Sequence, residues 1–347
     1  MVFIIAEVGP NHDGLLENAL EIVRRVAESG ADAVKFQTFK SGETVVSKNT
    51  PLAPYMERTG KAGDQNDLHE TLGLTGDEFH KISDECKHCG IMFLSTPFDV
   101  PSVGLLQDLG VPLMKVPSGE LTNPFLLSAI AKTGLDLIVS TGMAELIEIQ
   151  SALSLVREEW DNLGLKDSAY PELTLLHCTS AYPAPLEEVN LRAMDVLKEE
   201  FKVAVGYSDH TTGTLVPLLA VARGAKVIEK HVTPDPKLAG PDHMASLPLL
   251  ELPMLVSEIR NAEKALGKAI KSITESEKEV RQVARRSLAA MSDISAGQKF
   301  ETAMLTALRP ETGISPMQLT KIVGRKCKHN YRRGELIRFD ELDDNVS

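Results

Sequence analysis

Eight short apolar runs, each followed by an amphipathic or helix-forming stretch, recur along residues 2–266 and constrain the fold more than any other feature. The runs are Val2–Gly9, Asp32–Phe39, Ile91–Phe98, Leu113–Ser118, Asp136–Thr141, Leu173–Thr179, Val203–Ser208 and Lys226–Val232. They are near-continuous rather than alternating, as strands are when both faces are covered in a parallel sheet. Helical patterns are expected at Leu15–Ser29, Thr75–Cys89, Pro101–Leu109, Asn123–Thr133, Glu145–Trp160, Leu191–Phe201, Gly213–Arg223 and Leu249–Leu266. Eight βα units in about 265 residues predict a (β/α)₈ barrel. A doubly wound open sheet would need fewer units and usually a Gly-rich first turn. Here that turn reads GPNHDG. One long loop, Lys40–Gly73, separates the second strand from its helix.

Beyond Lys271 the texture changes. A charged stretch, Ser272–Arg286, reads as a linker, and 287–347 reads as a small β-rich domain with turn signals at Ala296-Gly297, Pro310, Gly313 and Arg333-Gly334. The expected organisation is therefore a barrel over 1–271, a linker over 272–286 and a tail domain. Net charge is −12, unevenly spread: residues 281–347 carry twelve basic and eight acidic side chains, a balance of +4. A basic tail on an acidic body suggests docking within or between chains. A nucleic-acid surface is the other reading of such a tail, but no basic helix supports it.

Four scattered cysteines, Cys86, Cys89, Cys178 and Cys327, do not form a disulfide framework and suggest a reducing compartment. The pair Cys86/Cys89 lacks a second C-x-x-C and reads as two cysteines near a helix end rather than a zinc or redox site. Met1 leads into VFIIAEVG with no basic segment or cleavage site, and no apolar run approaches a membrane span. A cytoplasmic chain with no membrane or nucleic-acid partner is expected.

Chemistry in such barrels sits at the C-terminal ends of the strands. Here every strand ends in reactive or anion-binding residues: Glu7; Lys35 and Gln37; Ser95 and Thr96; Lys115, Ser118 and Glu120; Ser140 and Thr141; His177, Thr179, Ser180 and Tyr182; Ser208, Asp209 and His210; Glu229, Lys230 and His231. A lone strand-end serine is usually a turn former, but eight such ends together are not. Lys35 and Lys115 lie inside apolar strands, where a lysine needs an anionic partner or a shifted pKa. With the clustered hydroxyls they suit a phosphate or carboxylate; a Schiff-base lysine is the rival use. His210 and His231 end adjacent strands, about 4.8 Å apart, and could share one metal ion. Two nitrogens among oxygen donors suit Mn²⁺ or a similar octahedral ion better than closed zinc; the plainer alternative is two hydrogen-bonded histidines. Glu7, Glu120 and Asp242 are placed for acid–base work or sugar binding.

The segments IIAEVGPNHDG, GADAVKFQTF, FLSTPFD, MKVPSGE, IVSTGMAE, LLHCTSAYP, GYSDHT, IEKHVT and AGPDH, with RRSL and LRPETGISP in the tail, resemble the sialic acid synthases and their legionaminic and pseudaminic acid relatives. The tail resembles their SAF, or antifreeze-like, domain. The resemblance implies condensation of phosphoenolpyruvate with an open-chain N-acylated amino sugar, with C–O cleavage and help from a divalent metal, Mn²⁺ by preference and Mg²⁺ or Co²⁺ as alternatives. It implies that Lys35, Thr96, Lys115, Ser118, Ser140, Ser180 and Ser208 hold phosphoenolpyruvate. His210 and His231 match the metal ligands, and Glu7 the acid–base group. Gln37, Glu120, Tyr182 and Asp242 match sugar-binding positions. Arg309 matches an arginine that reaches the partner's sugar in a homodimer with swapped C-terminal domains. Ser180 departs from the asparagine frequent in members making N-acetylneuraminate.

The expected substrate is N-acetylmannosamine, giving N-acetylneuraminate. The alternative is a 2,4-diacetamido-6-deoxy hexose, giving legionaminic acid. A 3-deoxy-aldulosonate phosphate synthase is disfavoured by the tail domain. A non-catalytic or ice-binding protein is disfavoured because the tail lacks a flat, Thr-rich face.

Overall fold

A computed structural model describes residues 1–39, 50–52 and 71–342 of the 347-residue chain. Most of the long loop expected at Lys40–Gly73 lies outside the described residues. The described chain falls into two compact units, Met1–Gly267 and Lys268–Ser347.

The first unit alternates strand and helix: β1 (Phe3–Glu7), α1 (Leu16–Glu28), β2 (Ala33–Thr38), α2 (Gly76–Cys89), β3 (Met92–Pro97), α3 (Val100–Asp108), β4 (Leu113–Val116), α4 (Pro124–Ala131), β5 (Asp136–Ser140), α5 (Leu146–Asn162), β6 (Leu173–His177), α6 (Ala193–Phe201), β7 (Ala204–Asp209), α7 (Leu215–Ala222), β8 (Val227–Thr233), the two-residue β9 (Leu247–Pro248) and α8 (Leu252–Leu266). The eight long strands pair in parallel in the order β3-β2-β1-β8-β7-β6-β5-β4, and β3 packs beside β4, so the ring nearly closes. This is the (β/α)₈ barrel expected from the sequence.

Local chemistry sets the helix ends. Thr75 and Glu78 form a capping box at the start of α2, and Gly90 ends it in the left-handed conformation. Asp99 and Asn123 cap α3 and α4, each followed by a proline in the first turn. The main core lies between barrel and helices, from Ile4 and Val34 to Ile228 and Ile259. A smaller cluster inside the barrel, Ile5, Ala33, Leu94, Ile138, Leu176 and Val227, forms its floor. Gly206 permits that closure: a Cβ there would lie 2.4 Å from the Val227 carbonyl and 2.6 Å from Leu176. At the N-terminal face, Arg260 of α8 donates to the Val2 carbonyl at 2.6 Å and to Asp32 at 2.7 Å, tying the last helix to the first strand.

In the second unit, α9 (Glu275–Ala284) occupies most of the stretch read as a linker, and Arg281 on it pairs with Glu311 at 2.9 Å. The antiparallel pair β10 (Ser287–Ala290) and β11 (Leu305–Leu308) follows, with isolated bridges and 3₁₀ turns around Phe300, Ile322, Tyr331 and Ile337. Arg309 lies just past β11. No helix among the described residues is long and apolar enough to cross a membrane.

Candidate active site

Side chains two apart on a strand share a face, so the barrel floor dictates what stands above it. Ile5 lies two residues before Glu7, Ala33 before Lys35, Leu94 before Thr96, Ile138 before Ser140, and Val227 before Glu229. The result is one cavity of about 540 Å³ at the C-terminal end of the barrel, within the range of small-molecule sites. Glu7, Lys35, Gln37, Thr96, Lys115, Ser118, Glu120, Ser140, Ser180, Tyr182, Ser208, His210, His231 and Asp242 all line it. Arg309, which the resemblance matches to a sugar-contacting arginine, belongs to the second unit.

The centre is a buried lattice of charge. Lys35 Nζ lies 2.5 Å from Glu7 Oε2 and 3.6 Å from Glu229 Oε2, and donates to Thr96 Oγ1 at 2.9 Å. Lys115 Nζ lies 3.6 Å from Glu229 Oε1 and donates to Ser140 Oγ at 2.7 Å. Ser208 Oγ donates to Glu229 Oε1 at 2.9 Å. Burial opposes every charge here, and the partners decide the outcome. For Glu229, Lys115 and Lys35 outweigh burial and hold the carboxyl at about 2. For Glu7, burial dominates, Lys35 pulls back, and Glu229 pushes up again, leaving it at about 7. Lys35 stays above the usual lysine range because Glu229 and Glu7 overcome its burial. Lys115 falls below that range, through burial and the charge of Lys35, against Glu229. Burial and the charge of Glu7 raise Asp242 to about 7.

Beside this lattice stand the two imidazoles. β7 and β8 run in register with Asp209 opposite Lys230, so His210 and His231 follow at matching heights. Their ring centroids are 5.4 Å apart, edge to face. His210 Nδ1 lies 2.7 Å from the Thr179 carbonyl, which assigns the proton to Nδ1 and leaves a lone pair on Nε2, 3.1 Å from the Tyr182 hydroxyl. His231 Nδ1 is buried without a hydrogen-bond partner, 3.4 Å from Asp242 Oδ2. Burial lowers both imidazole pKa values, His231 the more, because His210 adds to its burial. Two neutral imidazoles, one oriented by a backbone carbonyl, fit a divalent ion. Among the described residues no group of three His, Cys, Asp or Glu that could hold a metal ion is found, and the two imidazoles line the cavity as nitrogen donors beside its carboxylates and hydroxyls.

A family model described as the NeuB family matches residues 22–271, and a SAF domain model matches residues 285–343. The chain belongs to the NeuB family. This NeuB-family chain is 47% identical to the N,N'-diacetyllegionaminic acid synthase of Campylobacter jejuni, over 96% of its length and 98% of the relative's. It is 43% identical to the synthase of the same name from Legionella pneumophila, over 98% and 94%. Among solved structures it is similar to the N-acetylneuraminic acid (sialic acid) synthetase of Leptospira borgpetersenii, at 36% identity and TM-score 0.68, over 80% of this chain and 90% of that one. Like these relatives, the NeuB-family chain is an enzyme of the synthase type.

Two cavity residues of this NeuB-family chain gain a role only from its structure. Glu229 is noticeable in the sequence as a strand-end residue, but its place between two lysines depends on register across three strands. Its spacing of two from His231 is the signal that puts both on the inner face. Cys178 Sγ lies 3.2 Å from Ser118 Oγ, which also accepts from the Gly142 N–H at 3.0 Å. A Cβ on Gly142 would lie 2.3 Å from Ser180 Oγ and 2.9 Å from both Ser118 Oγ and Cys178 Sγ, so three polar side chains converge on one glycine. Conversely, Asp209 and Lys230, which also end strands, face away from the cavity, and His177 bonds the Val189 carbonyl at 2.7 Å.

Proposed function

We propose that this enzyme condenses phosphoenolpyruvate with the open-chain form of a 2,4-diacetamido-6-deoxy hexose, giving N,N'-diacetyllegionaminic acid and phosphate. The observation that carries the condensation is the cavity at the C-terminal end of the barrel, in which two lysines and four serines meet two neutral imidazoles and two carboxyls poised at about 7. The diacetamido sugar, rather than the N-acetylmannosamine preferred from sequence alone, is supported by the names of the relatives at 47% and 43% identity. The 36% identical structure named for N-acetylneuraminic acid makes N-acetylmannosamine the competitor to test.

In this reading Lys35, Thr96, Lys115, Ser118, Ser140, Ser180 and Ser208 hold the phosphate and carboxylate of phosphoenolpyruvate, as charge-assisted donors do. Gln37, Glu120, Tyr182 and Asp242 hold the sugar. C3 of the enol attacks the aldehyde carbon, and the carbonyl electron pair moves to oxygen, which takes the proton of Glu7. Water adds at C2 and returns a proton to Glu7. The C2–O bond to phosphate then breaks, the electron pair leaves with phosphate, and the C2 hydroxyl becomes the ketone as its proton passes to the departing phosphate. A pKa near neutrality suits a group that gives and then takes a proton. His210 and His231 would hold the divalent ion, Mn²⁺ by preference, which supplies Lewis-acid polarisation of the aldehyde oxygen.

By the same family resemblance we place Arg309 on the sugar's N-acyl group in the partner subunit of a domain-swapped homodimer, in the cytoplasm. Hybrid dimers of Arg309→Ala and Glu7→Ala subunits should regain activity; none in a verified heterodimer counts against the swap. For the reaction itself, mass spectrometry of the product from phosphoenolpyruvate and the diacetamido sugar decides. A nine-carbon 2-keto acid bearing two N-acetyl groups supports it, and unreacted sugar overturns it.

A further inference from the structure

On the outer face of β7 and β8, behind the imidazoles, lies a buried ion pair that the reaction above does not use. Asp209 and Lys230 are register partners, and each directly precedes one of the two histidines. Their side chains are 0% and 1% exposed, with Nζ 2.5 Å from Oδ2. Lys230 also donates to the Thr211 carbonyl. Asp209 Oδ1 accepts from the Thr211 N–H at 3.0 Å and from its hydroxyl at 2.9 Å. Both chain neighbours of His210 are thus fastened to Lys230, whose own neighbour is His231.

Such a pair is expensive to bury, and apolar residues of similar volume commonly stabilise as well or better. Its use is therefore geometric. Beyond Asp209 the β7 ladder ends, and this clamp acts with the Thr179 carbonyl, the Tyr182 hydroxyl and the Ala184 N–H, which donates to the His210 carbonyl at 2.9 Å, to fix where the His210 ring points. We infer that Asp209 and Lys230 are positioning residues that lock His210 against His231 so that both lone pairs meet one divalent ion. The inference rests on the metal reading given under Proposed function, and it assigns the pair no contact with substrate. Partners one shell out from metal ligands typically change metal affinity 10–100-fold.

The test is Mn²⁺ binding to the metal-free full chain, read from the electron paramagnetic resonance signal of free Mn²⁺. The wild type is compared with the double variant Asp209→Leu/Lys230→Met, whose apolar pair keeps the volume. The expected result is a melting temperature close to wild type with Mn²⁺ affinity at least tenfold weaker. Asp209→Asn, which retains one acceptor for Thr211, should fall between and serves if the double variant does not fold. Wild-type Mn²⁺ affinity in a folded variant overturns the inference while leaving the metal reading intact. A wild-type chain that binds no Mn²⁺ overturns both.

Discussion

Glu7 Oε2 lies 2.5 Å from the Lys35 ammonium, yet burial holds the Glu7 carboxyl at about 7. The lysine is shared: Glu229, 3.6 Å away and held at about 2, takes most of its charge. Glu7 is left as the group that can change protonation without dismantling the lattice. Glu7→Gln keeps the shape and removes the exchangeable proton. It should lower kcat by about 10²–10⁴, with the KM for phosphoenolpyruvate within a few-fold of wild type. Steady-state kinetics with each substrate varied decides; an unchanged kcat removes Glu7 from proton transfer.

Lys115 touches Glu229 and Ser140 and is held below the usual lysine range by burial. Lys115→Ala should raise the KM for phosphoenolpyruvate about 10–100-fold, the scale of one lost charged hydrogen bond, and the sugar KM far less. The reverse pattern in the same kinetics would put this lysine on the sugar.

Gly142 sits where Ser118, Cys178 and Ser180 converge. In Gly142→Ala the added methyl must displace the two hydroxyls assigned to the phosphate. The variant should bind phosphoenolpyruvate at least about tenfold more weakly, the equivalent of about 1.4 kcal/mol. Calorimetric titration checks this; wild-type affinity would move the phosphate elsewhere in the cavity.

Burial lowers His12 to about 4, against the opposing charges of Asp13 and Glu78, while its Nδ1 accepts the Gly14 N–H at 3.0 Å. Between about 4 and 6.5 the unfolded chain binds this proton and the folded chain does not, so stability rises with pH across that window. Its contribution is full above pH 6.5 and is lost as pH falls, by about 2 kcal/mol at pH 5. Urea denaturation at pH 7.5 and 5.0 should show a larger drop for wild type than for His12→Gln. Equal drops would contradict the assignment.

The barrel was legible in the sequence because parallel strands covered on both faces leave unbroken apolar runs, and because strand ends such as Ser208–His210 close those runs with polar residues. Lys35, Lys115 and the two histidines stood out for the same reason: they interrupt or end those runs. Glu229 and the Asp209–Lys230 pair did not receive roles, since a period of two says which residues share a face but not which strand brings a partner. That requires register, and only the fold supplies Lys35, Lys115 and Ser208 around one carboxylate. The stretch 272–286 read as a linker because α9 buries none of its residues, so no apolar periodicity ties it to a core.

The central claim is most directly tested by phosphate release from phosphoenolpyruvate with Mn²⁺, offering the 2,4-diacetamido-6-deoxy hexose and N-acetylmannosamine separately. A kcat/KM at least about tenfold higher for the diacetamido sugar, a discrimination of about 1.4 kcal/mol, is the expected result. Faster turnover of N-acetylmannosamine, or no phosphate from either sugar, would contradict it.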